Sequence, residues 1–346
     1  MTLSIAIIGT GPVGLTLARI LLTSPSNVKV TISEQDASAS SQTTKGGTLG
    51  LHADTGLAAL DAAGLRGMVI ADCKGNHVFE MPICKDEANQ HPEIGCRDLR
   101  TLLLDGILEG TIQWGAHITS ITSNGMLCLE GGRIDVSDYN FVVGADGTWS
   151  KVRVHMNRGK PIYSGLGRFE MHVAAPDVNH LELAREVRHG MYFAAGGGRA
   201  IMLYAMIRTQ GPEDLAVIVD SQRGNWARMK DHLKVMYEAE GWGDQLLGWF
   251  DAAEPGMMRV WPLYEYELPD GHMWEHIKGW TLVGNAAHVM TLMVGEGVNA
   301  GMRDALELSK RICALQTVDN LKLDAVVKEY EEEMFVRLQP YMLETL

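Results

Sequence analysis

The stretch LSIAIIGTGPVG, residues 3–14, decides the fold of this chain. Its first half, residues 3–8, is short, apolar and rich in isoleucine, which is typical of a buried parallel strand. Its second half has the spacing GxGxxG and runs into residues 12–22, whose apolar side chains recur on one helical face. The stretch therefore predicts a strand, a tight turn and a helix in direct succession.

The glycines of this turn have separate physical roles. Gly9 allows the tight turn, Gly11 lets the backbone approach a pyrophosphate, and Gly14 lets helix and strand pack closely. The start of the helix offers free N–H groups and a partial positive charge to the phosphates. We therefore expect Gly9, Gly11, Pro12, Val13 and Gly14 to bind a dinucleotide.

A second apolar strand is predicted from Val28 to Ser33, and it ends at Glu34. Glu34 follows Gly14 by about 20 residues, the position at which a carboxylate accepts hydrogen bonds from a ribose diol. We expect Glu34, with Gln35 beside it, to bind the adenosine half of the dinucleotide.

Composition limits the other classes of function. With 346 residues the chain is long enough for two domains, and its net charge of −13 argues against a nucleic-acid partner. The five cysteines form no CxxC pair, so we expect no metal site, and their odd number favours reduced thiols in a cytoplasmic protein. No apolar run reaches the roughly 18 residues of a membrane span.

Two later segments indicate a family. Residues 139–153 read YNFVVGADGTWSKVR, and residues 282–306 contain LVGNAAH followed by GEGVNAGMRDAL. With the first turn, these segments resemble, in the same order, the three FAD segments of the flavin-dependent aromatic hydroxylases. The resemblance implies that FAD and NAD(P)H are the cofactors. It assigns cofactor contacts to Asp146, Gly147, Asn285, Gly295, Gly297, Val298 and Asn299.

The resemblance can be narrowed to the tetracycline-inactivating flavin monooxygenases and their fungal relatives, on GGTLGLH at 46–52, PEI at 92–94 with DLR at 98–100, and YEEEMF at 330–335. It implies an α/β fold with a glutathione-reductase-type FAD-binding domain, a mixed β-sheet substrate domain and a C-terminal helix. The implied boundaries are 1–72, 93–160 and 262–316 for the FAD-binding domain, 73–92 and 161–261 for the substrate domain, and 317–346 for the helix.

Several positions depart from the family pattern, and they cluster where the family holds the flavin ring. Asn285 replaces an aspartate, and Cys96 stands where an arginine is expected. Arg97, one residue later, is the candidate that takes over this cofactor contact. Gly50 replaces another aspartate, and the arginine expected near position 43 is absent. Residues 291–293, Thr-Leu-Met, replace the usual prolines.

The chain between 160 and 262 is where the family binds its substrate, and its motifs are the weakest. Arg168, Glu170 and His172 alternate along a predicted strand and share one face, which lines a substrate cavity or faces solvent. Met293 is a further candidate contact. A strand is predicted at 215–219 and helices at 226–240, 298–314 and 321–338. The glutamates at 329–333 are expected to form a solvated helix face.

These observations lead to two hypotheses of different classes, and neither identifies a catalytic residue. The first is an FAD-dependent, NAD(P)H-using monooxygenase that hydroxylates or epoxidises a bulky apolar or phenolic small molecule. The alternative is a redox-silent cyclase or isomerase on the same scaffold, with weakened or absent FAD binding, and it rests on the departures at the flavin ring.

Overall fold

A computed structural model gives the structure of the chain. It describes residues 2–25, 27–41, 48–65, 69–71, 77–80, 93–156, 159–171, 173–187, 194–196, 199–201, 204–221, 225–254, 259–266, 274–291, 295–315 and 319–344.

The described strands, in chain order, are β1 (Leu3–Ile8), β2 (Val28–Glu34), β3 (Thr48–Gly50), β4 (Val69–Ala71), β5 (His77–Glu80), β6 (Glu93–Gly95), β7 (Ile112–Trp114), β8 (Ile118–Ile121), β9 (Leu127–Leu129), β10 (Gly132–Ile134), β11 (Phe141–Gly144), β12 (Ile162–Glu170), β13 (Ala194–Gly196), β14 (Arg199–Ile201), β15 (Tyr204–Arg208), β16 (Arg259–Glu265) and β17 (Trp280–Leu282).

The described α-helices are α1 (Pro12–Thr23), α2 (Gly56–Ala62), α3 (Cys96–Asp105), α4 (Lys151–His155), α5 (Pro176–Asn179), α6 (Leu181–Val187), α7 (Pro212–Ser221), α8 (Trp226–Ala239), α9 (Asp244–Ala252), α10 (Asn285–His288), α11 (Gly297–Cys313) and α12 (Asn320–Glu344). None of the helices in the described part of the chain has the length and apolarity needed to cross a membrane.

The central sheet has the strand order β17-β11-β1-β2-β7, and each neighbouring pair is parallel. The predicted strand–turn–helix succession is confirmed by β1 and α1. Because β1 pairs with β2 on one side and with β11 on the other, the strand order reverses between β1 and β11. Ligands of open α/β sheets bind beyond the carboxyl ends of the strands at such a reversal.

The chain divides into two compact units, Met1–Ile162 with Glu265–Leu346, and Tyr163–Tyr264. The core of the first unit contains the fully buried residues Ile5 and Ile7 of β1 and the buried faces of α1 and α11. The predicted division into an FAD-binding domain, a substrate domain and a C-terminal helix, with its residue boundaries, stays a prediction.

The second unit contains the sheet β13-β14-β15-β12-β16, in which the pairs β13–β14, β14–β15 and β12–β15 are antiparallel. The fully buried Phe169 points from β12 into a core formed with side chains of α7, α8 and α9. Side chains alternate along a strand, so Arg168 and Glu170 share the opposite face of the sheet, in line with the shared face predicted for them.

Four sequence predictions about single helices and strands can be compared with the structure. The helices predicted at 226–240, 298–314 and 321–338 are confirmed as α8, α11 and α12. The strand predicted at 215–219 is wrong, because these residues lie within α7. Helix formation there is favoured by Pro212 in the first turn and by Asp214, whose carboxylate accepts the N–H groups of Gln210 and Gly211.

The solvated acidic face predicted on α12 is wrong at Glu331, which is 1% exposed. One carboxylate oxygen accepts the Thr281 hydroxyl at 2.6 Å, and the other lies 2.7 Å from Nδ1 of His276. Burial raises the pKa of this carboxyl, and the bonds to Thr281 and His276 oppose the rise. Glu331 therefore helps to fix α12 against the sheet.

Candidate functional site

The glycine turn at residues 9–14, which is predicted to bind phosphates, lies at the carboxyl ends of three strands. Gly9 donates its N–H to the carbonyl of Ser33 at 2.9 Å, and Ala145 donates to the carbonyl of Ile8 at 2.8 Å. Gly9 has φ +108°, and a Cβ there would lie 2.5 Å from the carbonyl oxygen of Ala145. The ends of β1, β2 and β11 therefore approach each other so closely that only glycine fits at this position.

The other two glycines of the turn have different surroundings. A Cβ on Gly14 would lie 2.3 Å from the carbonyl oxygen of Gly9, so Gly14 allows α1 to pack against the turn. A Cβ on Gly11 would meet no atom within 4 Å. Gly11 therefore borders open space, as expected of the residue that lets a pyrophosphate approach the backbone.

Helix α1 begins at this open space. Gly11 is its N-cap residue and Pro12 its first residue, and no side chain caps it. The N–H groups of Val13 and Gly14 thus lie in the uncapped first turn. The side chain of Val13 packs against α11, because a Cβ on Gly301 would lie 2.7 Å from Val13 Cγ2.

Glu34 lies beside Gly9 at the end of β2 and is 5% exposed. Its Oε2 accepts the backbone N–H of Thr10 at 2.6 Å and the hydroxyl of Thr10 at 2.5 Å, and its Oε1 accepts the N–H of Asp36 at 2.9 Å. Gln35 is exposed. Glu34 therefore lies at the position that the sequence predicts, and its carboxylate is fixed by bonds to Thr10 and Asp36; its contact with a ribose stays a prediction.

Arg100 is a buried cation at this site that the sequence reasoning missed. From α3 it donates to the carbonyl oxygen and the hydroxyl of Thr10 at 3.2 and 2.9 Å, and to Asp36 at 3.2 Å. Nη1 of Arg100 donates to the carbonyl oxygen of Ala39. Its guanidinium lies 5.7 Å from the ring centroid of Trp114, which pairs with Glu34 in the sheet. Arg100 thus holds the turn and the end of β2 together.

Asp146 and Gly147 follow β11 directly, next to the turn. One oxygen of Asp146 accepts the N–H of Lys151 at 2.6 Å and so caps α4. The other, Oδ1, is buried and has no hydrogen-bond partner among the described residues. Burial raises the pKa of this carboxyl. Gly147 has φ +76° and borders open space, so the segment offers an unused acceptor beside an open position.

Arg153 joins the second motif to the third. It is 1% exposed and donates to the carbonyl oxygens of Ala286 and Asn285 at 2.8 and 3.2 Å, and also to that of Thr148. Burial lowers the pKa of its guanidinium, and the charge of Asp146 opposes that change. The side chain of Asn285 is exposed, and its backbone is held in position by Arg153.

A second buried network holds the turn before α10. Asp304 is fully buried and accepts the N–H of Gly284 at 2.9 Å, lies 2.5 Å from Nε2 of His288, and binds Arg337 at 2.7 Å. Gly284 has φ +59°, so the turn needs glycine. His288 is fully buried against this carboxylate and so forms part of the packed interior around the turn.

Helix α11, like α1, begins without a side-chain cap. Gly297, Val298 and Asn299 form its first turn without a side-chain cap, after the exposed Gly295 at φ +71°. The side chain of Asn299 is fully buried and bonds to the backbone of Gly50 and His52. Any contact of Asn299 with a cofactor is therefore left to its backbone.

The remaining predicted residues differ in their surroundings. Arg97 is exposed and Cys96 half-buried at the start of α3. In the second unit, Arg168 and Glu170 form an ion pair at 3.2 Å with mostly buried side chains. His172 and Met293 lie outside the described residues. Within the described ranges, no group of three His, Cys, Asp or Glu side chains is placed to hold a metal ion.

These features fit a dinucleotide such as FAD. The register places Glu34, Gly9, Ala145 and Val283 side by side at the carboxyl edge of the central sheet. The edge combines open space at Gly11, a buried unpartnered carboxylate oxygen at Asp146, and two helices without caps. All three sequence motifs are thus brought to one edge.

No protein-family model matches the chain. Among curated proteins, it is 27% identical to the monooxygenase penA of Penicillium thymicola, covering 89% of this chain and 84% of that protein. It is 25% identical to the monooxygenase asqM of Emericella nidulans, covering 98% and 93%.

Solved structures confirm the fold. That of 2,6-dihydroxypyridine-3-hydroxylase from Arthrobacter nicotinovorans has a TM-score of 0.72 at 14% identity, covering 99% of this chain and 90% of that one. That of Klebsiella pneumoniae HpxO with FAD and uric acid has a TM-score of 0.68 at 18% identity, covering 99% and 87%. The tetracycline destructase Tet(51) matches with a TM-score of 0.58 at 16% identity, covering 100% and 88%. The predicted α/β fold of the flavin monooxygenases, with its C-terminal helix, is confirmed.

Proposed function

We propose that this chain, whose relatives include fungal FAD-dependent monooxygenases, is itself an FAD-dependent monooxygenase that uses NAD(P)H and acts on a bulky apolar or phenolic small molecule. The predicted relationship to these enzymes is confirmed by the sequence and structure comparisons. The observation that carries the proposal is the meeting of the three motifs at one edge of the parallel sheet.

The proposed cofactor contacts divide along this edge. The turn and the first residues of α1 would hold the pyrophosphate, and Glu34 with Gln35 the ribose of the adenosine half. Asp146 and Gly147 would meet the middle of the cofactor, where Oδ1 of Asp146 lacks a partner within the described chain. The flavin half would be held by Asn285 and by residues at and just before the start of α11, namely Gly295, Gly297, Val298 and Asn299.

When bound, FAD would supply the redox chemistry for the use of NAD(P)H and oxygen. The chain itself would position the cofactor and exclude water from it. Asp304 fixes the backbone of Gly284, and Arg153 that of the two residues after it, through buried charged hydrogen bonds. This segment is therefore held in position before a cofactor binds. Fixed donors lose little free energy to reorganisation when they meet the cofactor.

Substrate recognition is proposed for the second unit, on the face of its sheet that bears Arg168 and Glu170. Their ion pair presents one cation and one carboxylate with mostly buried side chains. Such a pair gives hydrogen bonds of fixed direction to a hydroxyl or carbonyl group of an otherwise apolar molecule. His172 and Met293 remain proposed contacts from the sequence.

A redox-silent cyclase or isomerase is the second candidate. Its support is local: Cys96 places an uncharged, half-buried thiol where relatives of this type are expected to carry an arginine, and burial raises the pKa of that thiol. A weaker hold on the flavin ring would suit a protein that no longer transfers electrons.

Anaerobic reduction separates the two candidates. The protein is loaded with FAD, freed of excess, and mixed without oxygen with NADH or NADPH, with and without a panel of phenolic and polycyclic compounds. In a monooxygenase, the nucleotide reduces the flavin and its absorption is bleached, faster in the presence of a suitable substrate. When isotopically labelled oxygen gas is then admitted, one labelled oxygen atom should appear in the product. A protein that holds FAD but is reduced by neither nucleotide would support the redox-silent candidate.

A further inference from the structure

The carboxylate of Glu34 is largely occupied by the protein itself. Oε2 accepts both the N–H and the hydroxyl of Thr10, and Oε1 accepts the N–H of Asp36. A carboxylate offers about four acceptor positions, two on each oxygen. Within the part of the chain that the structure describes, Oε2 is therefore fully used, and one position remains on Oε1.

The direction of the hydroxyl bond is fixed by Arg100. Nη2 of Arg100 lies 2.9 Å from the hydroxyl oxygen of Thr10. A guanidinium group only donates, so this hydroxyl accepts from Arg100 and gives its single hydrogen to Glu34. Thr10 is fully buried and Arg100 is 4% exposed, so a rotation of the hydroxyl would leave buried polar groups without partners.

We infer that Glu34 accepts only one of the two ribose hydroxyls of a bound adenine nucleotide, and that Thr10 is the residue that imposes this limit. The inference rests on the proposed function, since it takes the turn as a nucleotide site. A ribose diol brings two O–H donors to a carboxylate with one free position. Adenine nucleotides are therefore bound more weakly than they would be by a Glu34 carboxylate that could accept both ribose hydroxyls.

The test uses three nucleotides that differ only in their ribose: ADP, 2′-deoxy-ADP and 3′-deoxy-ADP. Each is titrated calorimetrically into the full chain after removal of any flavin. For the parent, one deoxy nucleotide should bind like ADP, and the other should bind about tenfold more weakly, the effect of one hydrogen bond to a charged acceptor.

Two variants sharpen the test. Thr10→Ala removes the hydroxyl and frees one of the two acceptor positions of Oε2, so ADP should bind about tenfold more tightly, and both deoxy nucleotides should now bind more weakly than ADP. Thr10→Ser keeps the hydroxyl and should behave as the parent. A purely structural role of Thr10 predicts instead that Thr10→Ala weakens all three nucleotides alike.

The outcomes that overturn the inference are distinct. In the parent, equal losses for both deoxy nucleotides would mean that Glu34 accepts the whole diol, and no loss for either would mean that it does not bind ribose. These parent measurements decide the matter even if Thr10→Ala does not fold. A folded parent that binds neither ADP nor FAD would overturn the proposed function as well.

Discussion

Replacing Gly11 with valine should separate binding from folding. Gly11 has φ −66° and ψ 168°, a conformation that branched residues adopt readily. A Cβ there meets nothing within 4 Å, so the side chain would extend into the open space before α1. The cost to folding is then limited to a poorer N-cap, about 1 kcal/mol. That corresponds to a fall in Tm of roughly 2–4 °C for a unit of this size.

The cost to binding should be much larger. The valine methyl groups would stand where a pyrophosphate approaches the uncapped N–H groups of Val13 and Gly14. Loss of even one or two hydrogen bonds from these groups to a charged phosphate costs about 3 kcal/mol, more than a hundredfold in the dissociation constant. FAD affinity can be measured by fluorescence titration, and stability by thermal unfolding.

Gly14→Ala is the matched control. Its Cβ would lie 2.3 Å from the carbonyl oxygen of Gly9, so it should destabilise the fold by about 3 kcal/mol and lower Tm by roughly 6–12 °C. The reasoning is refuted if Gly11→Val binds FAD as well as the parent, or if Gly11→Val loses as much stability as Gly14→Ala.

Three further results are expected. Glu34→Ala should weaken FAD about tenfold, by loss of a charged hydrogen bond to ribose, and an unchanged dissociation constant in the same titration would place the adenosine half elsewhere. Glu331→Gln should change stability with pH. Because burial raises the folded-state pKa of Glu331, its charge costs stability once pH rises above the ordinary glutamate pKa, and the cost is complete above the raised value. The Tm of the variant relative to the parent should therefore increase with pH across that interval, and a constant difference would contradict this account. The protein as purified should carry less than one FAD per chain, and Asn285→Asp with Cys96→Arg should raise that ratio; a ratio that does not change would show these two positions to be irrelevant to occupancy.

The parts of the site that a sequence reveals are those set by neighbouring residues. The turn at Gly9, the acid at Glu34 and the helix that begins at Gly297 each follow from a local pattern, and the structure has all three at the positions expected. The parallel pairing of β1 with β2 and β11 then follows from the apolar character of these strands.

The buried cations that join these parts could not be found in this way. Arg153 bonds to carbonyl groups 132 and 133 positions away, and Arg100 reaches Thr10 across 90. Their partners are mostly backbone oxygens, which carry no residue signature in a sequence. The sequence indicated these arginines only by their positions, since Arg100 ends the DLR segment at 98–100 and Arg153 ends the segment at 139–153.

Local patterns also misled at two places. The run LAVIV at 215–219 has the β-branched composition of a strand, yet Pro212 and Asp214 begin a helix there. Glu331 stands in an acidic run that is typical of a solvated face, but a partner on β17, Thr281, and His276 make it a buried acceptor. Tertiary partners decided both cases.

The most direct test of the central claim is an equilibrium titration of the flavin-free protein with FAD, followed by flavin fluorescence. The account predicts saturable binding of one FAD per chain, weakened more than a hundredfold by Gly11→Val while the variant stays folded. A folded parent protein that takes up no FAD, or that binds it equally well with valine at position 11, would contradict the account.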